Sequence, residues 1–319
     1  TKFSGTYFYN FDELFSEAKR SQNFLYLDNP FNTLDTAFRT NTKQSHKMDV
    51  RIEQEFDSLH SLVFKSSINI GGVQNELDGF FTTLSPSEIL LSDLSMFSQY
   101  DNNIINSQSS VIFRKKFKRK GRSLGVSAAY IFNVSDRKSE QESLNNFYKL
   151  GLFIDSVAVL NQILQTNNDK SQIKSSVQYV EPLGKRFFIQ SFYNYSNRNT
   201  DYQRDVFDQI QDSSLKNQFL SRNFENNIEY HRIGTSLRYS YKGANISIGL
   251  AFQDLLLQGR FKTGFDSSNN VETKVVYQNF IPNISLQMDL KKNRNVNFEY
   301  SVNLREPSVK ELLPVIDNS

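Results

Sequence analysis

The chain of 319 residues contains no cysteine and no tryptophan. Without cysteine there is no disulfide framework and no thiolate metal site. Histidine is nearly as scarce, and the spacings of His46, His60 and His231 form no ligand motif. A nucleophile elbow and a phosphate-binding glycine loop are also missing. These absences predict a chain that is not an enzyme, holds no metal and takes no cofactor. No run approaches the roughly 18 apolar residues that a membrane-spanning helix needs. That excludes a helical membrane protein but leaves a barrel open, because a barrel requires apolar residues only on its outer face. An excess of one charge is lacking too, with a formal net charge of +3. Much of the local excess sits between Arg114 and Arg122, a run that reads as a solvated turn, and no nucleic-acid partner is expected.

What the chain does have is 28 phenylalanines and 15 tyrosines in a sequence that is only 38% hydrophobic. They are set in a rhythm. Segments of about ten residues alternate apolar and polar side chains, the period of a strand, and come in pairs. In 46–56, Met48, Val50, Ile52 and Phe56 point one way, and Lys47, Asp49, Arg51, Glu53 and Glu55 the other. Five hairpins follow: 45–56 with 60–70, 109–118 with 122–134, 171–181 with 185–197, 227–241 with 245–257, and 277–291 with 295–304. Gly, Pro and Asn stand where tight turns need them, as in Pro182-Leu183-Gly184 and Lys242-Gly243-Ala244. A sixth pair, 2–11 with 22–28 across Asp12–Ser21, brings the expected total to about twelve strands.

Between the hairpins lie polar stretches rich in Asn, Ser, Asp and Gln. These predict long extracellular loops near 29–44, 71–108, 135–170, 198–226 and 258–276, opposite short turns at the other end. Leu144–Leu164 is the most apolar stretch, and periodicity leaves strand, short helix and lumen-folded loop all open. Within the hairpins, Leu124, Val126, Ala128, Tyr130, Phe132 and Val134 oppose Ser123, Gly125, Ser127 and Asn133. Likewise Val296, Phe298, Tyr300, Val302 and Leu304 oppose Asn297, Glu299, Ser301, Asn303 and Arg305. In a transmembrane antiparallel up-and-down β-barrel the apolar rows face lipid and the polar rows a wet interior. In a soluble sandwich the same rows exchange meaning.

Four phrases narrow the choice: HKMDVRIEQEFDSLHSLVFKSSINI, VIFRKKFKRKGRSLGVSAAY, VQYVEPLGKRFFIQSFYNYSNRNTDYQRDVFD and NISLQMDLKKNRNVNFEYSVNLREPSVKELLPVIDNS. Together they resemble the outer-membrane β-barrel family of TonB-dependent-receptor-like proteins. In the last phrase Tyr300-Ser301, Pro307-Ser308, Leu312, Leu313 and Pro314 carry the likeness. The family's Arg-Pro-Ser arrangement is displaced, since Glu306 directly precedes Pro307 and Arg305 lies one place earlier. The resemblance implies a Gram-negative outer-membrane barrel of about 22 strands with a plug domain upstream. Residues 1–319 would then be one partial barrel domain, its first half, and a signal peptide would precede the plug.

On this reading the chain is barrel wall of a receptor that imports a large ligand, energised through the plug by an inner-membrane complex. Its other partners would be outer-membrane lipid and a surface lipoprotein or another outer-membrane protein. Lys47, Asp49, Arg51, Glu53, Glu55, Asn297, Glu299, Asn303 and Arg305 are the candidate lumen-facing residues for plug or substrate contact. The rival readings are a non-transporting scaffold or secretion accessory, and a complete twelve-stranded barrel acting as enzyme or pore.

Overall fold

A computed structural model describes residues 1–26, 30–149, 151–210, 213–263, 271–290 and 294–302. Its strands are β1 (Lys2–Phe24), β2 (Phe31–Glu55), β3 (His60–Leu84), β4 (Leu90–Lys116), β5 (Ser123–Lys149) and β6 (Phe153–Pro182). They continue as β7 (Phe187–Ile210), β8 (Ser213–Lys216), β9 (Arg222–Tyr241), β10 (Ala244–Thr263), β11 (Val271–Leu290) and β12 (Arg294–Ser301). All belong to a 12-stranded sheet in which consecutive strands are neighbours, except that β9 pairs with β7 and β8 lies off the path. Every pairing is antiparallel. The path ends at β1 and β12.

Four of the expected tight turns lie where turn chemistry placed them. Tyr241 pairs directly with Ala244, so Lys242 and Gly243 make a two-residue loop. Both have positive φ, 44° and 82°, the primed-turn geometry whose twist matches a hairpin. Around Asp57 the side chain accepts the N–H groups of Leu59 and His60, each at 2.7 Å, and so closes the β2–β3 turn. The fifth turn, 291–293, lies outside the described residues, but β11 and β12 flank it in register from Leu290 and Arg294.

Two expectations need correction. Residues 2–28 are not a hairpin, because β1 pairs with β2 without interruption from Lys2 opposite Glu53 to Phe24 opposite Phe31. Asp12–Ser21 contains no Gly, Pro or Asn, and its Asp12, Ser16 and Ser21 stay in the ladder opposite Lys43, Arg39 and Leu34. The stretches expected as long loops are largely strand as well: 31–44, 71–84, 90–108, 135–149, 153–170, 198–210, 222–226, 258–263 and 271–276 all belong to β2–β7 or β9–β11. Their polarity reports the water outside the sheet, whereas their backbone groups are satisfied by the ladder. Leu144–Leu164 is likewise two strands meeting at a turn where Gly151 has φ 70°.

Alternation along β9 and β10 reverses its sense part-way up. From the turn, one row of β9 reads Tyr241, Tyr239, Leu237, Thr235, Ile233, then His231, Glu229, Asn227 and Glu225. The opposite row reads Ser240, Arg238, Ser236, Gly234, Arg232, then Tyr230, Ile228, Asn226 and Phe224. Strand β10 repeats this, with Ile246, Ile248, Leu250 and Phe252 giving way to Asp254, Gln258, Arg260 and Lys262 around Leu256. Near the turns the apolar row is exposed, with Ile248 at 58% and Phe280 at 69%. Beyond the reversal the apolar row is on the other face and buried, Ile228, Leu255 and Leu257 packing together with Tyr230.

The exposed apolar band spans about 9–11 residues per strand, the height of a bilayer's hydrocarbon core. A sandwich would pack this band under a second sheet, but all twelve strands belong to one sheet. Lipid is therefore its solvent, and that row is the outer one. Beyond the band the β9–β10 hairpin is an amphipathic sheet with its polar row outside in water.

One hydrogen-bonded row shows how the strands sit. It runs His46, Ile70, Ile105, Val134, Asp169, Asp201, Glu225, Arg260 and Glu272. It begins at the band edge and ends among charges, so the strands tilt across the membrane as barrel geometry demands.

Close packing on the inner face fixes Gly234. A Cβ there would lie 2.6 Å from the Phe192 ring and 2.8 Å from Ala251 Cβ. Gly234→Val is expected to cost about 1–3 kcal/mol. Gly125→Ala, with nothing within 4 Å, should be near neutral. Urea midpoints of the two variants in lipid vesicles check the difference.

Candidate functional site

The inner row of β2 holds the predicted charge ladder. Lys47 Nζ lies 3.6 Å from Asp49 Oδ2, and Arg51 Nε donates to Glu53 Oε1 at 2.6 Å. Thr6 Oγ1 on β1 donates to Asp49 at 3.4 Å. Glu55 stands at the turn end of the same row, opposite Ser61. All five residues share the inner face, solvated, with Lys47–Asp49 and Arg51–Glu53 paired along the strand. Asn297 and Glu299 occupy inner positions of β12, opposite Gln287 and Ser285. Strands β2 and β12 lie towards opposite ends of the strand order, so these groups line one wall without forming one site. Asn303 and Arg305 lie outside the described residues.

Sequence reasoning missed the cations on the strands between. Lys65, Arg114, Lys170, Lys174, Arg198, Arg232 and Arg238 all fall on the inner row, as register carried across from Asp49 and Arg51 shows. Two are seated on aromatic rings of the neighbouring strand: Arg238 lies 5.0 Å from the Phe188 centroid and Arg232 5.8 Å from that of Phe192. Such stacking holds a guanidinium in place while leaving its edge free to donate hydrogen bonds. Hydroxyl and amide pairs knit the wall between them, including Gln172 Nε2 to Ser196 Oγ at 2.8 Å. The signal was available as parity counted outward from each turn.

On the outer row, the histidines mark the edges of the apolar band. Tyr7 and Tyr9 flank His46, and the Tyr7 hydroxyl lies 2.7 Å from His46 Nδ1. Tyr193 and Tyr195 flank His231 in the same way, with a 2.8 Å contact from the Tyr193 hydroxyl to Nδ1. Each cluster is a Tyr-x-Tyr beside a histidine one strand over, supplying the amphipathic aromatics of an interfacial girdle without tryptophan. His60 stands at the opposite edge, 2.9 Å from Asp57 Oδ2.

The basic run 114–122 ends in a turn. Arg119 and Arg122 both donate to Glu181 Oε1, at 2.9 and 2.7 Å, which ties the β4–β5 turn to the end of β6.

Residues 115–319, more than half of the chain, match the model of the outer membrane protein beta-barrel family, and the chain belongs to that family. It is a transmembrane β-barrel protein of the outer membrane. No curated protein matches its sequence. Among solved structures it is similar to the ferric citrate transporter FecA in its unliganded form, at 11% identity and a TM-score of 0.38. That match covers 83% of this chain and 43% of the transporter chain, so the chain spans less than half of that protein's length. It is also similar to the outer membrane protease OmpT from Escherichia coli, at 9% identity and a TM-score of 0.24, over 92% of this chain and 96% of that one.

The two faces of β11 make separate predictions. Ile284 is an outer residue near mid-band, and Ser285 is its inner neighbour opposite Ser247 and Glu299. Ile284→Arg is expected to cost about 2–4 kcal/mol. Ser285→Arg should be tolerated, as folding yield and urea stability in vesicles will report.

The turn beside His60 makes another. The His60 side chain, then the Leu59 N–H, hold the Asp57 carboxyl below the usual carboxylate range. Its contribution is present above about pH 4, where the unfolded carboxyl is ionised, and is lost as pH falls through the lowered folded value. Asp57→Asn is therefore expected to lower thermal stability at neutral pH. The difference should vanish in acid.

Proposed function

We propose that this chain is the barrel wall of an outer-membrane receptor of the TonB-dependent type, which takes up a ligand too large for passive diffusion. The observation that carries the reading is the continuous polar inner wall, from Lys47–Glu55 through the cations of β3–β9 to Asn297 and Glu299. A wall of that kind suits a water-filled or plugged lumen rather than a side-chain-filled one. In this reading a plug domain fills the lumen and an inner-membrane complex supplies the energy. The parent barrel closes with further strands, towards about 22 in all. The barrel has no catalytic role and needs no cofactor.

The second reading is a non-transporting scaffold or secretion accessory. It is favoured by the charged outer row of β5 beyond the band, Asp136, Lys138, Glu140 and Glu142, which offers a surface lipoprotein or another outer-membrane protein a docking face. Deleting the gene separates the two. The transport reading expects loss of uptake and growth on one nutrient source, with normal uptake restored by the intact gene. Unchanged uptake across nutrients, together with a stable partner recovered from outer-membrane fractions, would replace it with the scaffold.

A further inference from the structure

The inner wall is not evenly charged. From the turns to just above the apolar band, the inner rows of β3–β7, β9 and β10 carry the seven cations named above and, among the described residues, no carboxylate. The carboxylates Asp49, Glu53, Glu55, Asp289 and Glu299 stand on β2, β11 and β12, towards the ends of the strand order. A wall of one sign backed by lipid focuses its field into the lumen, because the low-dielectric side cannot screen it.

The cations of β6, β7 and β9 also ascend in order. Projected through the register onto β7, Arg238 lies level with Phe188, Arg232 with Asn194 and Lys174 with Ser196. Above them come Arg198, then Lys170 level with Thr200. The topmost rung is Arg204 itself, directly opposite Arg222 on β9. The track climbs roughly 50 Å along the strand at about 3.3 Å per residue.

Two features of this track cost stability without a folding reason. Like charges directly opposite across a ladder repel, and Arg204 and Arg222 are such a pair on the inner face. The Nε atoms of Arg204, Arg232 and Arg238 are buried with no hydrogen-bond partner among the described residues. Buried donors are nearly always satisfied, and an oxyanion lying between guanidinium groups would satisfy them while cancelling the repulsion.

We infer that the inner face of β6, β7 and β9 is a binding track for a soluble oxyanion, a ligand bearing carboxylate or phosphate groups. Arg204 and Arg222 form its outermost clamp, and Arg232 and Arg238 are its deeper rungs, held on Phe192 and Phe188. This names the ligand class for the receptor reading and rests on that reading for the direction of movement. Binding itself requires no energised membrane.

The test is equilibrium binding to the purified full-length protein at low ionic strength, with citrate and pyrophosphate as separate probes and a neutral trisaccharide as comparison. Both oxyanions are expected to bind saturably and to compete with each other, their relative affinity telling a carboxylate from a phosphate preference. The trisaccharide should not compete. Arg204→Gln and Arg222→Gln are each expected to weaken binding about tenfold, the size of one charge-assisted hydrogen bond. Lys262→Gln on the outer row should change nothing. If the Gln variants fail to fold, Arg204→Lys and Arg222→Lys keep the charge but lose the planar fork, and should weaken binding less. Absent oxyanion binding, or binding unchanged in every clamp variant, overturns the inference. The former is expected if an acidic face of a plug already fills the track. A protein that binds oxyanions but imports nothing would sink the transport reading alone, whereas import of a neutral ligand without oxyanion binding would sink this inference alone.

Discussion

Backbone hydrogen bonding in a medium without water is the constraint on which the rest of this structure depends. Hydrocarbon offers no partner to a free N–H or C=O, so each strand that crosses it must be paired on both sides. The continuous registers meet that demand for the strands between β1 and β12, and they dictate which side chains share a face. Once Asp49 faces inward, register carries the inner row through Ser67, Gln108 and Ile131 to Gln172, Arg198, Ile228 and Leu257. Polar wall, lipid band and cation track all follow from that one parity. No side-chain interaction among the described residues has comparable reach.

The sequence disclosed the turns and faces well because both are written in local chemistry. Lys242-Gly243 announces a primed turn, and the alternation from Ser123 to Val134 announces two faces. Strand length was hidden because polarity was read as irregular backbone. Residues such as Asn199, Asp201, Glu225 and Asn227 are polar because water lies outside them, while their backbone stays in the ladder. The turn expected at Asp12–Ser21 fails for a related reason, since its polar residues, Asp12 and Ser16 among them, lie in the β1–β2 ladder.

The candidate site was legible only in part for the same reason. The ladder on β2 could be read from one segment, as Lys47–Glu55 alternates within itself. The cations Lys170, Lys174, Arg198 and Arg204 belong together only once β6 and β7 are known to continue through segments that resembled loops. Likewise, the opposition of Arg204 and Arg222 is a fact of pairing between strands, and neither local sequence contains it.

The change of the outer row from apolar to charged has a consequence for assembly. In an ordinary sheet, sliding a strand by two residues preserves its faces and costs little more than its end pairs. Here the same slide would draw Glu229, Asp254 or Asp136 into hydrocarbon and lift Ile233, Phe252 or Val134 into water. Each strand is thus indexed along its own axis as well as across its faces, and a mis-registered hairpin is penalised by two solvents at once. The water–lipid boundary acts as a ruler that the backbone alone does not possess.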